Sequence, residues 1–288
     1  MFLLENTGYL PPNFWVNLWR LWPVVLVLIG VELLLAHRVP WLALVGLAAV
    51  VLIVGAVAVN MATPGATTNA SFANTTQTDL DGASQAAVTV RFGAGRLNLG
   101  PILQPQPNQL ASMSFQGPQQ LAPQPRYSVS NGVGQLDYQS SPRGAPGFVP
   151  FGDGRSDAAQ MDLTLAPNVP ITSLSVQTGA TDARLDLSAL SVSNIDLSIG
   201  AATTWLRFPE AAGVTMAHIS GGASTLTLEV PQGVAAQIQL RGGLSTVNVD
   251  QSRFPQVSDN LYRSPDYDTA TNKVDLSIET GVTTIQIS

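Results

Sequence analysis

The chain has 288 residues, a formal net charge of −6 and no cysteine. Without cysteine it has neither disulfides nor thiolate metal sites. The basic residues form no cluster and Lys273 is the single lysine, so nucleic acid is excluded as a partner.

Residues 1–20 predict an interfacial N-terminal segment. Residues 21–59 predict two transmembrane helices. Leu21 to Ala36 is apolar except for Glu32, and Val39 to Val59 is apolar throughout. The second run matches the roughly 20 residues that span a bilayer as helix. The first reaches that length if Phe14 to Trp22 adds an interfacial turn or two. Trp15, Trp19, Trp22 and Trp41 suit the headgroup belts, and Pro40 suits a first helical turn. His37-Arg38 forms the tight turn of this hairpin. The positive-inside rule puts Arg38 in the cytoplasm, which places both hairpin ends and the domain that follows outside. Glu32 is expected to snorkel or to pair with Arg38 or His37, because an ionised carboxylate in lipid is expensive.

Residues 60–86 are poor in apolar side chains and show no periodicity, which predicts a flexible linker. Within it Asp79-Leu-Asp81-Gly82 lacks the remaining ligands of a calcium loop.

From residue 87 the pattern changes. Gly179, Gly200, Gly221 and Gly242 recur every 21 residues. Alternating apolar runs flank them, such as Ile195-Asp-Leu197-Ser-Ile199 before Gly200 and Leu226-Thr-Leu228 after Gly221. Gly93, Gly132 and Gly281 open similar units. A fixed period with strand alternation predicts an all-β stacked solenoid over 87–288, in coils of about 21 residues turning at these glycines. Each coil buries its apolar face only on its neighbours. Leu206, Phe208, Leu226, Leu228, Val247 and Val249 are expected in one apolar column, with Met216 among the inward positions. Thr203-Thr204, Ser224-Thr225, Ser245-Thr246 and Thr283-Thr284 are expected to form hydroxyl ladders between rungs. Three insertions interrupt the repeats: Pro101–Pro125, where only Leu110–Phe115 looks like a strand; Ser140–Asp157, with Phe148 and Phe151; and Asp250–Asn272, with Phe254, Tyr262 and Tyr267. These aromatics either contact a glycan or protein, or fold back over a solenoid end.

The chemistry is sparse. No His, Cys or carboxylate grouping has metal-ligand spacing, and no nucleophile elbow or phosphate loop occurs. His218 is expected as a ladder residue. The predicted catalytic, cofactor and metal sets are empty, and the chain is read as not an enzyme.

The N-terminal stretch resembles the membrane region of LiaI/LiaF-type envelope-stress proteins through Asn6-x-Gly8, Trp22-Pro23 and Gly30. Its further motif residues would be Glu32 and Arg38. In that family another helix usually precedes the Asn-x-Gly element, and Met1–Leu4 resembles its last turn. The repeats, with Val88-Thr-Val90-x-Phe92-Gly93-Ala-Gly95-x-Leu97-x-Leu99, resemble toast-rack or adhesin-like domains that follow such membrane regions. The resemblance implies a stacked β-solenoid on a multi-pass anchor in the bacterial cell membrane. It implies an accessory sensor or scaffold of the envelope stress response, with the lipid bilayer and a membrane sensor kinase as partners. The alternative is a surface adhesin or spacer that binds an extracellular glycan or protein. Homo-oligomers are compatible with either.

Overall fold

The computed structural model describes residues 72–140, 159–243 and 245–288, which all fall in one compact unit, Asn69–Ser288. Among them are fifteen strands and one 3-10 turn at Gln119–Leu121. The expected membrane hairpin, with Asn6, Gly8, Trp22, Pro23, Gly30, Glu32 and Arg38, lies outside the described residues, as do Phe148 and Phe151.

Four long strands form the frame: β2 (Gln85–Pro101), β7 (Ile171–Asp186), β10 (Val214–Glu229) and β15 (Lys273–Ile287). Each bends at a glycine into a first and a second arm. Other rungs are split at the bend, giving β8 (Asn194–Ile199) with β9 (Thr203–Arg207), and β11 (Ala235–Gly242) with β12 (Ser245–Val249). All these rungs pair in parallel. Alternation sends every second side chain of both arms into one core. In the first arms Val90, Val176, Leu197, Ile219, Ile278 and Leu240 align rung on rung. In the second arms Leu99, Leu185, Leu206, Leu228, Ile287 and Val249 do the same. All twelve are buried. Each large aliphatic chain buried this way contributes about 1.5–3 kcal/mol, which the polar outer positions do not. The return turns supply further core residues, among them Leu187, Leu190, Phe208 and Val230.

The rungs do not stack in chain order. β15 lies between β10 and both β11 and β12. Leu226 therefore meets Thr204 on one side and Ile285 on the other, and Val247 packs against Ile285 rather than Leu226. The expected column exists, but the last rung in sequence divides it. The Asp250–Asn272 insertion makes this possible. It runs through β13 (Gln256–Ser258) and β14 (Leu261–Arg263), an antiparallel cap on β11, and returns the chain to the inner position.

The bends also correct the register. Main-chain pairing aligns Phe92 with Thr178, Thr178 with Ile199, Ile199 with Gly221, and Gly221 and Gly242 with Thr280. The corner ladder is therefore Gly93, Gly179, Gly200, Gly222, Gly281 and Gly243. Gly221 and Gly242 sit one residue before it. Paired glycines at 221–222 and 242–243 let the even spacing select the wrong member. The ladder is glycine because rungs approach closely there: a Cβ on Gly200 would lie 2.8 Å from the Gly179 carbonyl oxygen. Gly132 is not part of it. Asn131-Gly132, with φ of 53° and 77°, turns the hairpin between β4 (Gln124–Ser130) and β5 (Val133–Gln139), and β5 extends the first-arm layer beside β2.

The domain begins earlier than residue 87. β1 (Phe72–Asp79) pairs with β3 (Gln109–Gly117), which pairs with β6 (Gln160–Leu165) beside the second arm of β2. The supposed linker thus contributes an edge strand. Its positions are mostly exposed, so it carries no apolar alternation to read. Asp81 and Gly82, with φ of 45° and 83°, turn the chain into β2. Met216 is also corrected: it is 58% exposed on the outer face, with Thr215 and Ala217 inward.

Candidate functional site: the outer corner and faces

Polar outward positions form rows across the rungs. On the first arms Ser175, Asp196, His218, Ser277 and Gln239 align. His218 is exposed there, opposite Asp196 and Ser277, as the ladder reading expects. On the second arms Asp182, Thr203, Thr225, Thr284 and Thr246 align, and all five are exposed. The expected ladder holds in register across Ser224-Thr225, Thr283-Thr284 and Ser245-Thr246, and is offset by one residue only at Thr203-Thr204. Thr203 aligns with Thr225, while Thr204 points inward, 1% exposed, with its hydroxyl unpartnered. Direct hydroxyl contacts between rungs are Ser224 to Thr283 at 3.4 Å and Ser198 to Ser220 at 3.2 Å.

The bare glycines leave two shallow grooves along the outer corner. One, of about 720 Å³, is edged by Arg91, Gln177, Ser198 and Ser220. Arg91 is held by both oxygens of Asp137 at 3.1 Å. The other, of about 610 Å³, runs between Ala180, Ala201 and Ala223 and the threonine row. Beyond it the Arg184 guanidinium lies over the Trp205 ring at 4.1 Å.

No His, Asp or Glu lines either groove among the described residues. Among the described residues no group of three or more His, Asp or Glu side chains could hold a metal. Burial pushes up the hydroxyl pKa values of Tyr127, Tyr138 and Tyr267, and the Ser252 hydroxyl holds the Asp250 carboxyl down. All four move away from neutrality, so none is tuned as a general acid or base. The aromatics of the Asp250–Asn272 insertion fold back. Phe254 is fully buried, Tyr262 packs on the core, and Tyr267 lies against Arg263 and Lys273.

A bent β-stack with polar rows and a glycine corner is a fold that can be compared. The family model described as the N-terminal domain of toast_rack matches residues 66–229, more than half of the chain. The chain belongs to the toast-rack family. A second model, the LiaI-LiaF-like transmembrane region, matches residues 1–34 and marks a membrane region at the N-terminus. A solved structure from Clostridium sporogenes, named a "putative cell adhesion protein", aligns with a TM-score of 0.67 at 20% identity, covering 75% of this chain and 98% of that one. That likeness shows a shared fold. A "putative adhesin" from Bacteroides fragilis covers 75% of this chain and 97% of that one at 9% identity, but its TM-score of 0.27 leaves it without bearing on the toast-rack chain. No curated protein matches. The match from residue 66 also agrees with placing β1 inside the toast-rack domain.

Of the residues singled out from sequence, the structure brings Gly93, Gly179, Gly200 and Gly281 together in the corner ladder. It sets Gly221 and Gly242 beside that ladder and Gly132 in the hairpin. Sequence reasoning missed Trp205, and it did not tell which member of Thr203-Thr204 joins the outer row.

Proposed function

We propose that this chain is a membrane-anchored, non-catalytic scaffold of the bacterial cell envelope stress response, presenting its toast-rack domain outside the membrane. The observation that carries the reading is the joining of a LiaI-LiaF-like membrane region to a toast-rack domain in one chain. The absence of any grouped acid, base or metal ligand among the described residues of the grooves is in keeping with it. The Arg38 turn supports an outside domain through the positive-inside rule. A membrane sensor kinase is the partner this role calls for. Protease added to intact protoplasts should remove the toast-rack domain, and deletion of the gene should alter the transcriptional response to a cell-wall antibiotic. Protection until lysis would overturn the topology, and an unchanged response would overturn the role.

A second reading, a surface adhesin for an extracellular glycan, draws on the hydroxyl-edged corner grooves. Retention of the protein on purified cell-wall polysaccharide, lost on replacing Thr225 and Thr284 with valine, would favour it.

A further inference from the structure

The four ends of the stack are finished differently. At the N-terminal end the first-arm layer closes with the antiparallel hairpin β5–β4, and the second-arm layer with antiparallel β3 and β1 beyond β6. At the C-terminal end the first-arm layer closes with β14 and β13. The second-arm layer stops at β12, a parallel rung with no strand on its outer edge among the described residues. The Asp250 N–H donates to the Ile287 carbonyl at 3.0 Å, so strand alternation turns the Val247 and Val249 N–H groups toward that outer edge. The other terminal strands carry features that discourage pairing: β1 has a register shift between Thr78 and Asp79, β4 holds Pro125 and Arg126, and β13 is a short strand with a register shift. β12 reads Ser-Thr-Val-Asn-Val and carries none of them.

Among the described residues the core at this end is unfinished on the same side. Phe254 is fully buried, and its neighbour Arg253 binds the Val230 and Pro231 carbonyls at 2.7 and 2.9 Å, which fastens the insertion over the return turns. Toward the corner an opening of about 120 Å³ is lined by Leu240, Val247, Ile278 and Ile285 beside Gly242 and Gly243. Val247 is only half-buried, while Leu226 and Ile285 in the same column are 0% and 2% exposed.

We propose that the outer edge of β12 and this opening form a docking site for one extended strand of a partner protein. The strand pairs with β12 through its main chain and seats one branched aliphatic side chain between Leu240 and Val247. Two facts choose this occupant over a second copy of the chain. A five-residue edge with one side-chain seat buries far less than the roughly 1,600 Å² of a stable dimer. The first-arm layer also projects two strands further than the second, about 10 Å at normal strand spacing. Two copies joined edge to edge about a two-fold axis would drive their projecting hairpins into the same layer. A lone strand fits above the projection.

The inference rests on the reading of the chain as a scaffold, but it is tested apart from membrane topology and the stress response. The probe is a fluorescein-labelled peptide, Val-Thr-Thr-Ile-Gln-Ile-Ser, copying residues 282–288, the rung that already pairs with the inner edge of β12. It is titrated against the full-length chain in detergent and followed by anisotropy. Saturable binding is expected. Leu240→Phe, which fills the opening, and Val247→Pro, which removes an outward N–H, should each weaken it at least tenfold. The melting temperature of Leu240→Phe should not fall. A peptide with both isoleucines replaced by aspartate should not bind. Absence of binding by the unaltered chain, equal binding by Leu240→Phe, or dimerisation through β12 seen by light scattering and lost in Val247→Pro would each overturn the proposal.

Discussion

The middle of the stack and its C-terminal end follow the same local rules with different outcomes. From β7 through β8 and β9 to β10, each rung lies beside the next rung in sequence. At the C-terminal end β15 enters between β10 and the β11–β12 rung. The rungs share one alternation and one glycine bend, so any rung can sit on any other. Order is set by the connections. Short return turns force adjacency in the middle, and the long Asp250–Asn272 insertion releases it at the end.

Removing β15 is the strongest way to break the comparison. A chain ending at Asn272 should lose cooperative unfolding of the whole domain, because β10, β11 and β12 all pair with the missing strand. A stack in chain order would lose one terminal rung and keep a transition near the original melting temperature.

The next test separates inner from outer face in the middle of the stack. Leu226→Asp would bury an unpaired carboxylate between Thr204 and Ile285, costing several kcal/mol. Thr227→Asp, on the outer face beside Trp205, should cost about 0.5 kcal/mol or less. Hydrogen exchange on the Leu226 variant should show protection lost first in β9, β10 and β15.

The corrected corner is tested by two alanines. Gly200→Ala places a Cβ 2.8 Å from the Gly179 carbonyl oxygen and should cost about 1–3 kcal/mol in urea unfolding. Gly221→Ala finds its nearest neighbours at 3.5 Å and should cost little. Equal costs would restore the even 21-residue ladder.

Smaller effects sharpen the picture. Thr204→Val removes an unpartnered hydroxyl from the apolar column and should raise stability by about 1 kcal/mol. At Asp250 the folded-state pKa lies below its unfolded value, so its contribution is present above the unfolded pKa and fades as pH falls through the folded pKa. Asp250→Asn should therefore lower the melting temperature slightly at neutral pH, and the difference should close in acid. A gap that widens in acid would reverse this sign.

How much of the toast-rack domain is legible depends on where a strand sits. Ile195-Asp-Leu197-Ser-Ile199 announces itself because every second residue must be apolar in a shared core. Phe72–Asp79 does not, because an edge strand with exposed positions is held by main-chain pairing that any polar sequence can make. The fold-back of Phe254 was left open by sequence because an aromatic in a long insertion suits a plug as well as a binding loop. Only its burial decides.

The repeat period, the all-β class, the inward faces of the arms and the membrane-like N-terminus follow from the sequence alone, since each is a local pattern of apolar spacing. The identity of the ladder glycines, the inward turn of Thr204 and the insertion of β15 required the tertiary structure. Each depends on which rung lies beside which. Parallel main-chain pairing is nearly indifferent to sequence, so that choice falls to turn lengths, the long insertion and the close packing of one coil on another.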